Sequence, residues 1–173
     1  SYDPIKDFEP ITGRTVLHQA LVAHPSLAAD SVSGLLALAK AKPGALNYGT
    51  FGLGSAGHLN IEALAAQAAV HLTAVHYRGA APAMTDVIAG QLPINVGNFP
   101  ASVAPVESGR LRALAITTAT RVAQAPSVPT MQEAGLAGYD VSSWYGVCAP
   151  AATPAAVLDK LNAITRHHPN NPW

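Results

Sequence analysis

Hydrophobic positions along the chain switch repeatedly between short continuous runs and helical spacing. Gln19 to His24 is a short apolar run stopped by Pro25, which suits a buried strand. Ser26 to Ala41 reads as a helix. In it Leu35, Leu36, Leu38 and Ala39 recur at helical spacing, Ser31 is a candidate cap, and Lys40 and Lys42 lie near the end that Pro43-Gly44 closes. Ala45 to Gly49 reads as a strand, Ser55 to Val70 as an alanine-rich helix, and Leu72 to Tyr77 as another strand. A helix with Pro82 in its first turn follows, running to about Ala89. Gln91 to Val96 has strand character, although Pro93 would confine it to an edge or a bulge. Ser102 to Ser108 reads as a short helix and Leu111 to Thr117 as a strand. Thr130 caps a short helix ending at Gly135. Val141 to Pro150 holds a further strand, and Thr153-Pro154 opens a helix carrying Val157, Leu158 and Leu161. Tyr2 to Pro10 reads as a loop. Strands alternating with helices predict an α/β fold with a largely parallel sheet.

Composition narrows the function classes. The 173 residues suffice for one domain or two small lobes, with 49% hydrophobic residues, only 12% charged and a formal net charge of zero. Nothing in this charge balance suggests a basic face for nucleic acid or a polybasic membrane patch. A ligand's charge would therefore be met by backbone dipoles and hydroxyls. The single cysteine, Cys148, permits no internal disulfide, and beside Val147 and Ala149 it is expected to be a small buried hydrophobe. No apolar run approaches the roughly 20 residues that a membrane-spanning helix needs. The chain opens at Ser1 without a methionine and reads as a fragment.

The most informative stretch is Leu46 to Leu59, where a strand empties into a glycine-rich turn and then into a helix. Such a turn aims backbone N–H groups and the positive end of a helix dipole at one spot, which favours a carboxylate or phosphate. Gly52-x-Gly54-x-x-Gly57 matches the dinucleotide-binding fingerprint, but the confirming acidic residue is absent between His71 and Arg78. Arg78 could instead meet a 2′-phosphate, so an NADP-dependent oxidoreductase using this loop is the alternative reading. A P-loop fails because Ser55, not lysine, follows Gly54. A nucleophile elbow fails because Leu53 stands where glycine is needed. His71 and His76, five apart, fall on opposite faces of a strand, and His167-His168 has no nearby Cys or carboxylate, so no metal site is expected. His58, in the first turn of the loop's helix, could line the same spot as the amides. Glu62, Asp86, Glu107, Glu133, Asp140 and Asp159 are scattered, and no catalytic centre is expected.

Several ordered motifs resemble one family. They are Tyr2–Ile11, Gly49–Leu59, Val75–Asp86, Gly109–Ala115, Pro126–Thr130 and Ser143–Gly146. The family is the substrate-binding receptors of tripartite tricarboxylate transporters, the Bug receptors. The resemblance runs from Tyr2 to about Ala163. It implies a type II periplasmic-binding-protein-like architecture of two α/β lobes closing on a small carboxylate, without catalysis or cofactor. It implies residues 1–21 and 146–173 as a partial first lobe and 22–145 as a complete second lobe. It implies a monomeric periplasmic receptor that hands its solute to membrane permease subunits. Carried over by position, the ligand-binding residues are Thr50, Phe51, Gly54, Ser55, Ala56 and His58 in the loop, the Tyr77-Arg78-Gly79 turn, and Asn98. The family usually carries Asp where this chain has Pro93 and Gly97, and the latter departure argues against an amino-acid ligand. The family's first strand and first-lobe ligand loop would lie upstream of Tyr2, so weak binding by this chain alone is expected.

Overall fold

In a computed structural model that describes residues 2–166, the chain forms two units, one of Ser1–Leu17 with Trp144–Trp173 and one of His18–Ser143. The strands are β1 (Phe8–Leu17), β2 (Gln19–Ala23), β3 (Asn47–Thr50), β4 (Thr73–His76), β5 (Ile94–Asn98), β6 (Arg112–Ile116) and β7 (Ser143–Pro150). The helices are α1 (Val32–Ala41), α2 (Ala56–Ala68), α3 (Ala80–Ile88), α4 (Phe99–Glu107) and α5 (Ala155–Arg166).

The larger unit is built on a five-stranded sheet of order β4-β3-β5-β2-β6. β3 runs parallel to both β4 and β5, whereas β2 is antiparallel to both β5 and β6. The sheet is therefore mixed, which corrects the expectation of a largely parallel one. The reason is topological. The connection from β2 through α1 leads to β3, which is not a neighbour of β2, so this strand–helix–strand run is not a parallel crossover between adjacent strands. Pro93 also behaves differently from expectation. It lies just outside β5, where its carbonyl accepts from His24 N at 2.9 Å, and this leaves β5 in the middle of the sheet.

Alternation along β5 sends successive residues to opposite faces. Ile94 and Val96 join Leu21, Leu35, Tyr48, Ile61 and Leu64 in a core that α1 and α2 help to form. Asn95 and Gly97 stand opposite Val22 and Ala20, which belong to a second core with Val87, Leu92 and Phe99. The helix ends follow local chemistry. Ser31 caps α1, its Oγ accepting from Gly34 N at 3.2 Å, so the helix begins at Val32 and not at Ser26. Thr130 and Glu133 form a reciprocal capping box over a turn that does not extend into a helix. Glu133 N donates to Thr130 Oγ1 at 3.1 Å and Thr130 N to Glu133 Oε2 at 2.8 Å.

The smaller unit pairs β1 with β7 and packs α5 against β1, where Asn162 Nδ2 donates to the Ile11 carbonyl. β1 starts at Phe8, inside the stretch expected to be a loop. Pro10 is tolerated because a two-stranded sheet has only edge strands. Cys148 is exposed, which corrects the expectation of a buried thiol, because this small sheet has little to cover its second face. The tail histidines His167 and His168 lie outside the described residues.

Candidate functional site

The glycine loop holds its shape by consuming most of its own polar groups. Gly52 and Gly54 adopt φ values of 125° and 75°, which side chains rarely tolerate. Thr50 Oγ1 accepts from Gly52 N at 3.0 Å and donates to the Gly52 carbonyl at 2.8 Å. With its proton committed there, Thr50 Oγ1 accepts from Ser55 Oγ at 3.2 Å. Ser55 in turn caps α2, its Oγ accepting from His58 N at 3.4 Å while its carbonyl accepts from Leu59 N at 2.9 Å. Gly54 N donates to His58 Nδ1 at 3.1 Å. His58 is thus unprotonated at Nδ1 and turns Nε2 toward Glu62 Oε1, 4.0 Å away. Tyr48 stacks near His58 with ring centroids 6.4 Å apart and donates its hydroxyl to Glu62 at 2.6 Å. Burial first, and then this bond to a carboxylate, push the Tyr48 phenol well above its usual range.

The amides of Ala56 and Gly57, the first residues of α2, are among those that this scheme leaves unclaimed. Helix geometry leaves them without a carbonyl partner one turn back, and the helix dipole reinforces their positive character. Gly57 also explains how close α2 comes to the sheet. A Cβ there would lie 2.6 Å from the Val96 carbonyl oxygen and 2.8 Å from Phe51 Cζ. The third glycine of the apparent dinucleotide fingerprint thus serves close helix–strand packing.

The remaining expected residues divide into those the structure gathers and those it does not. Phe51 and Asn98 share the lining of a cavity of about 390 Å³ with Ala80, Ala81, Met84, Asn95, Gly97 and Ala101. Gly79 is the N-cap of α3 with φ 133°, and its helix brings Ala80 and Ala81 to that cavity. Thr50 is fully buried and shapes the loop from beneath. Tyr77 is tied on both sides. Its N donates to the Thr50 carbonyl at 2.9 Å and its hydroxyl to Asp86 Oδ2 at 2.6 Å, and the latter bond raises its pKa. Arg78 is exposed and outside the cavity lining. Asn98 Oδ1 accepts from Gln19 Nε2 at 3.5 Å. Gln19 accepts from Asn60 Nδ2, and Asn60 Oδ1 accepts from Tyr139 Oη at 2.7 Å, so a buried polar chain underlies the site. A larger hollow of about 680 Å³ lies elsewhere, beside Ser31 and Arg112. There Arg112 is committed to the Ala29 carbonyl and Glu133 to Arg121.

Sequence reasoning missed Asn95 and Met84, and weighed Gly97 only as a departure from the family and not as part of a cavity wall. The signal was present in Ile-Asn-Val-Gly-Asn, where period-two alternation puts a polar Asn95 beside a side-chain-free Gly97 on one buried face. Among the described residues, no cluster of three or more His, Cys, Asp or Glu could hold a metal ion. None of the described helices is long and apolar enough to cross a membrane.

Residues 1–173 match the sequence profile of the tripartite tricarboxylate transporter family receptors. Protein BugT of Bordetella pertussis is 34% identical over 161 residues, which cover 93% of this chain and 49% of BugT. A protein from the tcbD-tcbE intergenic region of Pseudomonas sp. strain P51 is 37% identical, with 94% of this chain and 48% of that protein covered. The chain spans about half the length of the curated relatives it matches. Among solved structures, R. palustris Rpa4515 with adipate superposes with a TM-score of 0.91 at 38% identity, covering 95% of this chain and 55% of that one. The periplasmic binding protein BugD gives 0.89 at 30%, covering 97% and 57%. MatC of Rhodopseudomonas palustris with bound malate gives 0.88 at 26%, covering 98% and 59%. The fold is that of these binding proteins, represented in part. The family consists of receptors rather than enzymes, and nothing in these likenesses supports an oxidoreductase.

Proposed function

We propose that this chain, which belongs to the tripartite tricarboxylate transporter family of receptors, captures a small organic carboxylate at the N-terminus of α2. The observation that carries the reading is the state of the loop's donors. Thr50, Gly52, Gly54, Ser55 and His58 are bonded to one another, so the loop is rigid before any ligand arrives. Among the donors it leaves unbonded are the amides of Ala56 and Gly57, which open a thirteen-residue helix. Two N–H groups at a helix N-terminus suit the two oxygens of a carboxylate. Ser55 can turn its hydroxyl proton from Thr50 to the ligand, and Phe51 and Asn98 bound the space beyond.

The dipole contributes about 0.3–1 kcal/mol at an exposed site and up to about 2 when partly buried. Affinity from this site alone is accordingly weak. That the related proteins were solved with adipate and with malate supports a carboxylate as the solute class. Family membership supports a periplasmic setting and delivery to membrane permease subunits, and action as a monomer is part of the same proposal. Differential scanning fluorimetry against adipate, malate and NADPH tests the reading at matched ionic strength. The carboxylates are expected to raise the melting temperature and NADPH to leave it unchanged. A shift with NADPH alone contradicts it.

A further inference from the structure

One buried group is not explained by the loop chemistry. Asn95 is 1% exposed, yet neither its side-chain nitrogen nor its oxygen has a hydrogen-bond partner. Because both ends of the amide are unpaired, exchanging them changes nothing. Leaving such a group unsatisfied is costly, and an apolar residue of the same size would avoid that cost. The strand around it is otherwise apolar on its buried positions, and its cross-strand partner is Val22.

Asn95 is one of the residues lining a cavity of about 390 Å³, whose other walls include Phe51, Met84 and Ala81, and both polar atoms of its amide are covered. Gly97 opens the space beside it. A Cβ at that position would sit 4.0 Å from Asn95 Nδ2, 3.8 Å from Met84 Cε and 3.9 Å from Phe51 Cε1. The ring of Phe51 therefore touches the cavity at Gly97 and the start of α2 at Gly57, and the two places share a wall. Among the described residues, no lysine, arginine or histidine lines this space. A second carboxylate pushed against Asn95 would lose its hydration without meeting a cation, which is costly. A neutral group that both donates and accepts would pair with Asn95 at both ends, and a carboxamide is the direct complement.

We propose that this cavity is a specificity subsite, and that Asn95 selects solutes whose carboxylate is joined through a short apolar chain to an uncharged amide. The inference rests on the reading of α2 as the carboxylate site. The tail enters past Phe51 and Met84, the covered amide of Asn95 turns toward it into the space beside Gly97, and the two amides exchange two hydrogen bonds. The pair of bonds predicts a preference of about fivefold or more over an acid lacking the amide.

The test is an NMR titration of the 15N-labelled chain with adipic acid monoamide, adipate and hexanoate, reading the backbone amides of Ala56 and Gly57 and the side-chain NH2 of Asn95. The monoamide is expected to bind at least fivefold more tightly than the other two and to be the acid that shifts the Asn95 side chain. In Asn95→Leu the preference falls to within twofold of unity, while hexanoate binding stays within threefold of the starting protein. Gly97→Ala places a methyl group beside Asn95, and the same selective loss is expected from it should Asn95→Leu prove difficult to fold. If all three acids shift Ala56 and Gly57 equally and the Asn95 resonance stays still, the subsite is refuted and the carboxylate reading survives. If no acid moves Ala56 or Gly57, the carboxylate reading fails and the subsite with it.

Discussion

Gly57→Ala isolates the contact that sets the height of the loop over the sheet. The new Cβ would stand 2.6 Å from the Val96 carbonyl oxygen and 2.8 Å from Phe51 Cζ, where ordinary contact requires well over 3 Å. Val96 lies in the central strand β5, opposite Leu21 of β2, so its carbonyl is not free to swing away. α2 must retreat instead, tilting Phe51 and displacing the amides of Ala56 and Gly57. Overpacking of this kind costs about 1–3 kcal/mol, against which alanine recovers up to about 1 kcal/mol of helix propensity. A net loss of about 1–2 kcal/mol follows, or about 2–8 °C in melting temperature for a chain of this size. The control is Gly34→Ala in α1. There the nearest atom to the new Cβ is Ser31 Oγ at 3.2 Å, which must yield by a few tenths of an ångström while keeping its cap on Gly34 N, and no backbone oxygen intrudes, so the loss should be smaller than at Gly57. Thermal and urea denaturation by circular dichroism measure both variants. A Gly57→Ala protein as stable as the starting chain would refute the packing argument.

Four further outcomes are expected. Ala69 ends α2 at φ 51°, so Ala69→Gly should stabilise by about 0.5–1 kcal/mol in urea unfolding. His58→Ala removes the acceptor for Gly54 N, and hydrogen exchange of that amide should quicken while core amides of β5 are unchanged. Tyr139→Phe leaves Asn60 Oδ1 short of a donor in a buried site and should cost about 1–3 kcal/mol. Burial raises the Tyr139 pKa above 10.0, so the folded state holds this proton more tightly than the unfolded chain. Its contribution is complete below pH 10 and is lost as pH rises above that value. The alkaline limb of stability against pH should therefore be steeper in the starting protein than in Tyr139→Phe, by up to about 1.4 kcal/mol per pH unit.

Much of the larger unit was legible because its elements carry strong local signals. The Ser31 and Ser55 caps and the glycine loop all sit where residue chemistry places them. The antiparallel entry of β2 was not legible, because an apolar run of five residues reads identically in either direction. β1 was hidden by Pro10 and Gly13, which lower strand propensity in any window that contains them. At the site, the sequence displays an anion-facing loop but not which amides are already spent. Gly54 looked available until His58 was seen to accept from it. Asn95 was passed over because a single polar residue in a strand looks ordinary until both ends of its amide are found unpaired.

The central claim is that the first amides of α2 receive a carboxylate. The direct measurement is a 1H–15N correlation spectrum of the chain titrated with adipate at constant ionic strength. The account predicts that Ala56 and Gly57 show the largest saturable shifts, with Gly52 and Gly54 moving far less because their amides are already bonded inside the loop. Saturable shifts centred elsewhere, with Ala56 and Gly57 unmoved, would contradict it.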